Sequence, residues 1–276
     1  MVNRAPAVAG SFYSANPVAL RREIETYLAR VEVPEGLSRP PLGLVAPHAG
    51  YVYSGPVAAA AYRLVQGRGA DYDLVVVVSP SHHHYFPGFS IYAAGNYETP
   101  LGEIEVDREL AGALIAAHDE INFVAEAHRR EHALEVQLPF LQVALGRFRL
   151  LPVVMGQQSW PEAEILAEIL AGLAVDRRLL LVASSDLSHF HPATRAEAFD
   201  RKIVTAVAAF DPAGLWAAIE TGQAEACGAG PMLAVMLAAR RLGGTRAEVL
   251  SYHHSGEVSG DYSQVVGYLA AAFFRD

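Results

Sequence analysis

The chain has 276 residues, of which 52% are hydrophobic and 18% charged, and this balance excludes a disordered chain and suits one α/β domain over residues 1–276. The net charge of −9 argues against a nucleic-acid-binding surface, which needs clustered Lys and Arg. The single cysteine excludes an internal disulfide, and the lack of a signal-type or membrane-spanning apolar run favours a cytoplasmic protein with no membrane partner.

Apolar spacing and start signals predict the following elements in chain order. They are a helix over 17–31, strands over 42–46 and 74–78, an antiparallel addition over 89–101, helices over 107–117 and 133–140, a strand over 150–154, a helix over 161–173, a strand over 179–183, helices over 195–210, 212–219 and 231–242, and strands over 249–252 and 265–269. The strands are apolar on both faces, and most are separated by helices. The pattern therefore predicts an α/β fold with a central, mainly parallel or mixed sheet flanked by helices.

Polar side chains follow three of these strands at the points where the strands end. His48 follows the first, His82 follows the second, and Asp186 and His189 follow the third. In open α/β sheets, ligands bind beyond the carboxyl ends of the strands. One histidine in a loop is ordinary, but three strand ends that agree predict a shared site.

Cys227 precedes the apolar helix over 231–242 and is followed by Gly228, Ala229 and Gly230. A thiol at a helix start is favoured as thiolate, which is a metal ligand and a nucleophile. An inert, buried cysteine is an equally good interpretation of the same residue.

The string His128-x-x-Glu131-His132 matches the H-x-x-E-H spacing of some zinc sites. The string is short and lies beside Arg129 and Arg130. We therefore favour its interpretation as a capped, charged helix start at the surface.

An ordered set of short motifs resembles the Memo family from about Arg4 to the last strand. The motifs are AGSFY at 9–13, APHAGY at 46–51, PSHH at 80–83, TPLG at 99–102, EHALEVQLP at 131–139, SSDLSH at 184–189 and CG at 227–228. The Memo family is similar in fold to class III extradiol dioxygenases, which hold Fe(II) with two histidines and a carboxylate.

The resemblance implies a metal held by His48, His82 and Cys227, with the cysteine where the dioxygenases have a glutamate. Iron or copper is expected as the bound metal in preference to zinc. Asp186 and His189 are expected to be the catalytic residues of the same pocket. Its other lining residues are expected to be Phe12, which stands where Memo proteins often carry Trp, with His83, Glu131 and His132.

The implied function is that of a metal-binding redox or oxygenase-like protein in a small-molecule or protein-modification pathway. A non-enzymatic partner protein that keeps the fold and a zinc hydrolase are the alternatives. Eukaryotic Memo proteins are similar to cell-motility mediators described as binding phosphotyrosine peptides. Prokaryotic ones resemble component B of the AmmeMemoRadiSam set, whose partners are radical-SAM and AMMECR-type proteins, and the alanine- and arginine-rich composition here favours that lineage.

Overall fold

The computed structural model describes residues 2–276. The helices are α1 (Pro17–Ala29), α2 (Tyr51–Arg63), α3 (Arg108–Ala117), α4 (Ala125–Arg129), α5 (His132–Leu145), α6 (Trp160–Leu173), α7 (Ala193–Ala208), α8 (Pro212–Glu220), α9 (Ala229–Arg241) and α10 (Gly256–Ser259). The strands are β1 (Gly43–Ala46), β2 (Leu74–Pro80), β3 (Phe89–Ile91), β4 (Tyr97–Thr99), β5 (Gly102–Val106), β6 (Ile121–Asn122), β7 (Arg149–Met155), β8 (Leu179–Ser184), β9 (Asp186–His191), β10 (Arg246–His254) and β11 (Val265–Phe274).

One mixed sheet runs through the molecule, with the main strand order β10-β11-β1-β8-β2-β7-β3-β6. Its centre, β1-β8-β2-β7, is parallel, whereas β11 pairs antiparallel with β1 and β3 pairs antiparallel with β7. The carboxyl ends of β1, β8 and β2 therefore lie side by side at one edge of the sheet. Ligand sites of open α/β sheets form at such edges.

Alternate side chains of the central strands enter two hydrophobic layers. Val75 and Val77 of β2 face the layer that contains α1, α2 and α5, whereas Val76 and Val78 face the layer that contains α3, α6 and α9. Burial on both faces explains why these strands are apolar throughout.

The predicted α/β fold with a mixed sheet between helices is confirmed, and the antiparallel addition appears as β3 and the β4–β5 hairpin. The elements α2, α4, α10, β6 and β9 were not predicted, and α2 and β9 are the longest of them. Helix α2 contains Gly55 and Pro56, and Gly55 is needed because a Cβ there would lie 2.6 Å from the ring of Tyr27 in α1. Strand β9 is polar and pairs with β11 through two register shifts, so it lacks the regular alternation of a strand.

Within residues 2–276, no helix combines the length and apolar character that crossing a bilayer requires.

Candidate metal centre

Three histidines meet at the edge of the sheet where β1, β8 and β2 end. His48 follows β1, His82 follows β2, and His132 is the first residue of α5. One donor atom from each lies within 4.8 Å of the other two, and among the described residues this is the group whose geometry suits a metal ion.

The imidazole rings have the spacing of ligands that share one ion. A zinc–nitrogen bond of about 2.0–2.1 Å puts a ring centroid roughly 3.2 Å from the ion, so two rings at a tetrahedral angle have centroids roughly 5.2 Å apart. The observed separations are 5.2 Å for His48–His82, 5.4 Å for His48–His132 and 4.7 Å for His82–His132. The three residues therefore fit a bound metal.

The tautomer of His48 is fixed by a hydroxyl that has only one proton. Ser184 Oγ donates that proton to the carbonyl oxygen of Ala133 at 2.7 Å. The same oxygen accepts from Gln137 Nε2, which also donates to the carbonyl oxygen of Pro47. The contact of 2.8 Å between His48 Nδ1 and Ser184 Oγ then requires Nδ1 to donate. The lone pair of His48 is consequently on Nε2.

A buried carboxylate orients His82 in the same way. Glu131 Oε2 accepts from the backbone amide of His82 at 2.6 Å, and Oε1 lies 2.9 Å from His82 Nδ1. Burial raises the pKa of Glu131, but the hydrogen bonds and charge of His82 outweigh it and lower the pKa to about 2. An ionised Glu131 accepts from Nδ1, so Nε2 of His82 is free to bind a cation.

Burial keeps two of the three histidines neutral. It lowers the pKa of His48 to about 3, helped by the nearby charge of His82. Burial and the charge of His48 likewise lower the pKa of His132 to about 4. Neutral imidazole is the form that binds a metal, so protons compete weakly for these two ligands.

Cys227 lies beside this group, with Sγ at 3.2 Å from His48 Nε2. Sulfur and nitrogen donors on one zinc ion would be roughly 3.5 Å apart, so the thiol is placed to join an ion bound at His48. Cys227 nevertheless lies outside the set whose donors are all within 4.8 Å. Burial and the charge of Asp186 raise the pKa of the thiol, and this opposes the effect expected from the helix start.

Asp186 supports His48 from the adjacent strand end. Its Oδ1 accepts from the backbone amide of His48 at 2.8 Å, and Oδ2 lies 3.9 Å from His48 Nε2. Burial raises the pKa of Asp186, whereas the hydrogen bond from His48 and the charge of His189 lower it. His189 is therefore within electrostatic reach of the same pocket.

The other predicted pocket residues surround His132. The ring of Phe12 lies 5.0 Å from the ring of His132, and the ring of His83 lies 6.1 Å from it. Phe12 is half-buried and forms a wall, whereas His83 is exposed.

The prediction of a capped helix start at His128-x-x-Glu131-His132 is confirmed, but its placement at the surface is wrong. Glu131 is 2% exposed, and besides capping α5 it holds His82. His128 is fully buried between Tyr97 and Ser90 and is not a donor of the group. The sequence did contain a signal for His132, because it stands in the family motif EHALEVQLP at 131–139, from which the resemblance placed it in the pocket.

Comparison with known proteins agrees with the motifs. The family model described as Memo-like protein matches residues 4–272. A MEMO1 family protein of Methanopyrus kandleri is 40% identical over 99% of this chain and 100% of its own length. One of Methanothermobacter thermautotrophicus is 40% identical over 96% of this chain and 98% of its own length. The chain therefore belongs to the Memo family.

One solved structure also aligns with most of this chain. An uncharacterized protein from Escherichia coli K12 aligns with 84% of this chain and 99% of its own, with a TM-score of 0.48 and 15% identity. At this level of similarity it adds nothing to the assignment of function.

Proposed function

We propose that the chain is a metal-dependent protein of the redox or oxygenase type, with the ion held by His48, His82 and His132. The observation that carries the proposal is the convergence of three imidazole donors within 4.8 Å of one another. Cys227 is the proposed fourth donor, because its sulfur lies 3.2 Å from the free nitrogen of His48. Sulfur donation suits copper or a redox-active iron.

An iron or copper ion bound there would supply electron transfer to or from a ligand in an open coordination position. The protein groups supply orientation and a proton. Ser184 and Glu131 hold the rings of His48 and His82 with their free nitrogens available. Asp186, whose pKa is raised by burial, is suited to hold a proton on Oδ2, the oxygen that the amide of His48 leaves free.

Zinc-dependent hydrolysis is the second candidate, and the donor set itself favours it. Three histidines that leave one position for water form a known catalytic zinc site. In that case Asp186 would serve as the proton acceptor beside the open position. The two candidates differ in the metal that the protein retains and in whether oxygen is consumed.

The test is metal analysis of protein purified without oxygen, followed by cobalt titration and an oxygen electrode. We expect about one ion per chain and, for His132→Gln, a loss of affinity of roughly 100-fold or more, since removing a supporting partner alone costs 10- to 100-fold. His118→Gln at the end of α3 is the matched control and should bind normally. Iron or copper with oxygen uptake supports the first candidate, and zinc without uptake supports the second. Wild-type protein that binds no stoichiometric metal overturns both.

A further inference from the structure

The three histidines differ in how open they are to solvent. The side chain of His48 is 2% exposed, that of His132 is 18% exposed and that of His82 is 27% exposed. Ser184 and Cys227 contact the two ring nitrogens of His48. An ion therefore enters the group from the side of His82 and His132, and His48 lies at the inner end.

His83 stands at this entrance. It is exposed, and its ring lies 6.1 Å from that of His132 at an angle of 65°. Rings that share a tetrahedral ion have centroids roughly 5.2 Å apart, so His83 is about 1 Å too distant to be a resident ligand with His132. A shift of that size is within the range of an exposed side chain, which changes rotamer in nanoseconds or less.

The ring of His83 also differs from its neighbour in its hydrogen bonds. His82 is held by Glu131 and His48 is held by Ser184. Within residues 2–276, no side-chain hydrogen bond is made by the ring of His83, so its nitrogens remain available to an incoming ion.

We propose that His83 is a transient metal ligand, which takes an ion from solvent and passes it to the three-histidine group through His132. The inference rests on the metal site proposed above and adds a route for loading and release. In the exchange, a bond from the ion to His83 replaces a bound water. That bond then breaks as bonds to the inner histidines form, and no electron is transferred.

A ligand that acts only in transit changes the rate of binding without changing its equilibrium. Its removal raises the barrier between two end states that are themselves unchanged, so association and dissociation slow by the same factor. A resident ligand behaves differently, because its removal weakens the affinity.

The experiment is stopped-flow binding of Co²⁺ alone to the full chain, with dissociation measured by a chelator chase. For His83→Gln we expect both rate constants to fall together, by about fivefold or more, and the dissociation constant to stay within about twofold. His84→Gln is the matched control. This neighbouring, exposed histidine stacks on Phe86, with ring centroids 6.1 Å apart, and its replacement should leave both rates unchanged.

Four results would overturn the inference. An unchanged association rate in His83→Gln excludes a role in loading, and weaker affinity through faster dissociation makes His83 a resident ligand. Equal slowing in His84→Gln assigns the effect to the loop as a whole. Wild-type protein that fails to bind Co²⁺ overturns the metal site itself, and with it the route. Normal binding with rates independent of His83 overturns the route alone.

Discussion

Single hydrogen-bonding groups decide which atoms of this site face a metal. The hydroxyl of Ser184 has one proton, and the carbonyl oxygen of Ala133 takes it. His48 must then donate from Nδ1, which leaves the lone pair of Nε2 toward Cys227. The sequence placed His48 in the site, but it gave no reason to connect Ser184 with the helix that carries His132.

We predict that Ser184→Ala weakens metal binding by roughly 10-fold or more, because His48 loses the acceptor that fixes its tautomer. Isothermal titration with Zn²⁺ measures the change. The matched control is Ser79→Ala on the neighbouring strand β2, where the hydroxyl is equally buried and has no hydrogen-bond partner. Equal affinities in wild type, Ser184→Ala and Ser79→Ala would show that the hydroxyl does not orient His48.

At the scale of elements, the residues at the strand ends could be assigned to the site from the strand pattern, whereas the start of α5 was assigned to it only through the family resemblance. Short apolar runs locate β1, β2 and β8, and the residues after them, His48, His82 and Asp186, reach one site. His132 comes from the start of α5, which lies far from these strands in sequence. Placing it depends on how α5 crosses the sheet, and no local pattern encodes that.

The position of α5 depends in turn on the N-terminal segment. Arg4 is 4% exposed, forms an ion pair with Glu135 of α5, and donates to the carbonyl oxygens of Glu131 and His128. The carboxylate of Glu135 also accepts from Tyr13 Oη at 2.5 Å. These bonds fix the turn that presents Glu131 and His132 to the metal site.

We predict that Arg4→Met destabilises the fold by about 3–5 kcal/mol, because it leaves the buried carboxylate of Glu135 without an opposite charge. Urea denaturation of metal-free protein measures the loss. Arg178→Met is the control, since Arg178 pairs with Asp73 at the surface, where the two side chains are 62% and 44% exposed. That variant should change stability little. A similarly small loss in Arg4→Met would mean that the buried pair does not hold the turn.

At the scale of the whole molecule, the mixed sheet buries several histidines in neutral form. Burial lowers the pKa of His48 and His128 to about 3 and that of His132 to about 4. The composition shows eleven histidines but does not show which of them are buried, because burial depends on contacts between distant segments. His128, for example, lies between Tyr97 and Ser90.

These neutral histidines make the free energy of unfolding of the metal-free protein depend on pH. Unfolding returns each one to its ordinary pKa of about 6.5, so the unfolded state binds protons that the folded state does not bind. Their contribution to the free energy of unfolding is complete above pH 6.5 and is lost as the pH falls toward 3 or 4. Glu131, with its pKa lowered to about 2, adds to the loss only below about pH 4.5.

His128 separates this effect from metal binding, because it is fully buried and is not a donor of the metal group. Between pH 6 and 4.5, each histidine of this kind contributes a slope of up to about 1.4 kcal/mol per pH unit. We predict that the free energy of unfolding of His128→Gln, whatever its value at pH 7, changes with pH less steeply than that of the wild type. The two slopes should differ by about that amount. Urea denaturation of chelator-treated wild type and variant at several pH values measures both slopes. Subtracting one slope from the other removes the contribution of the titrating groups that both proteins share. Parallel curves would mean that His128 takes up a proton in the folded state.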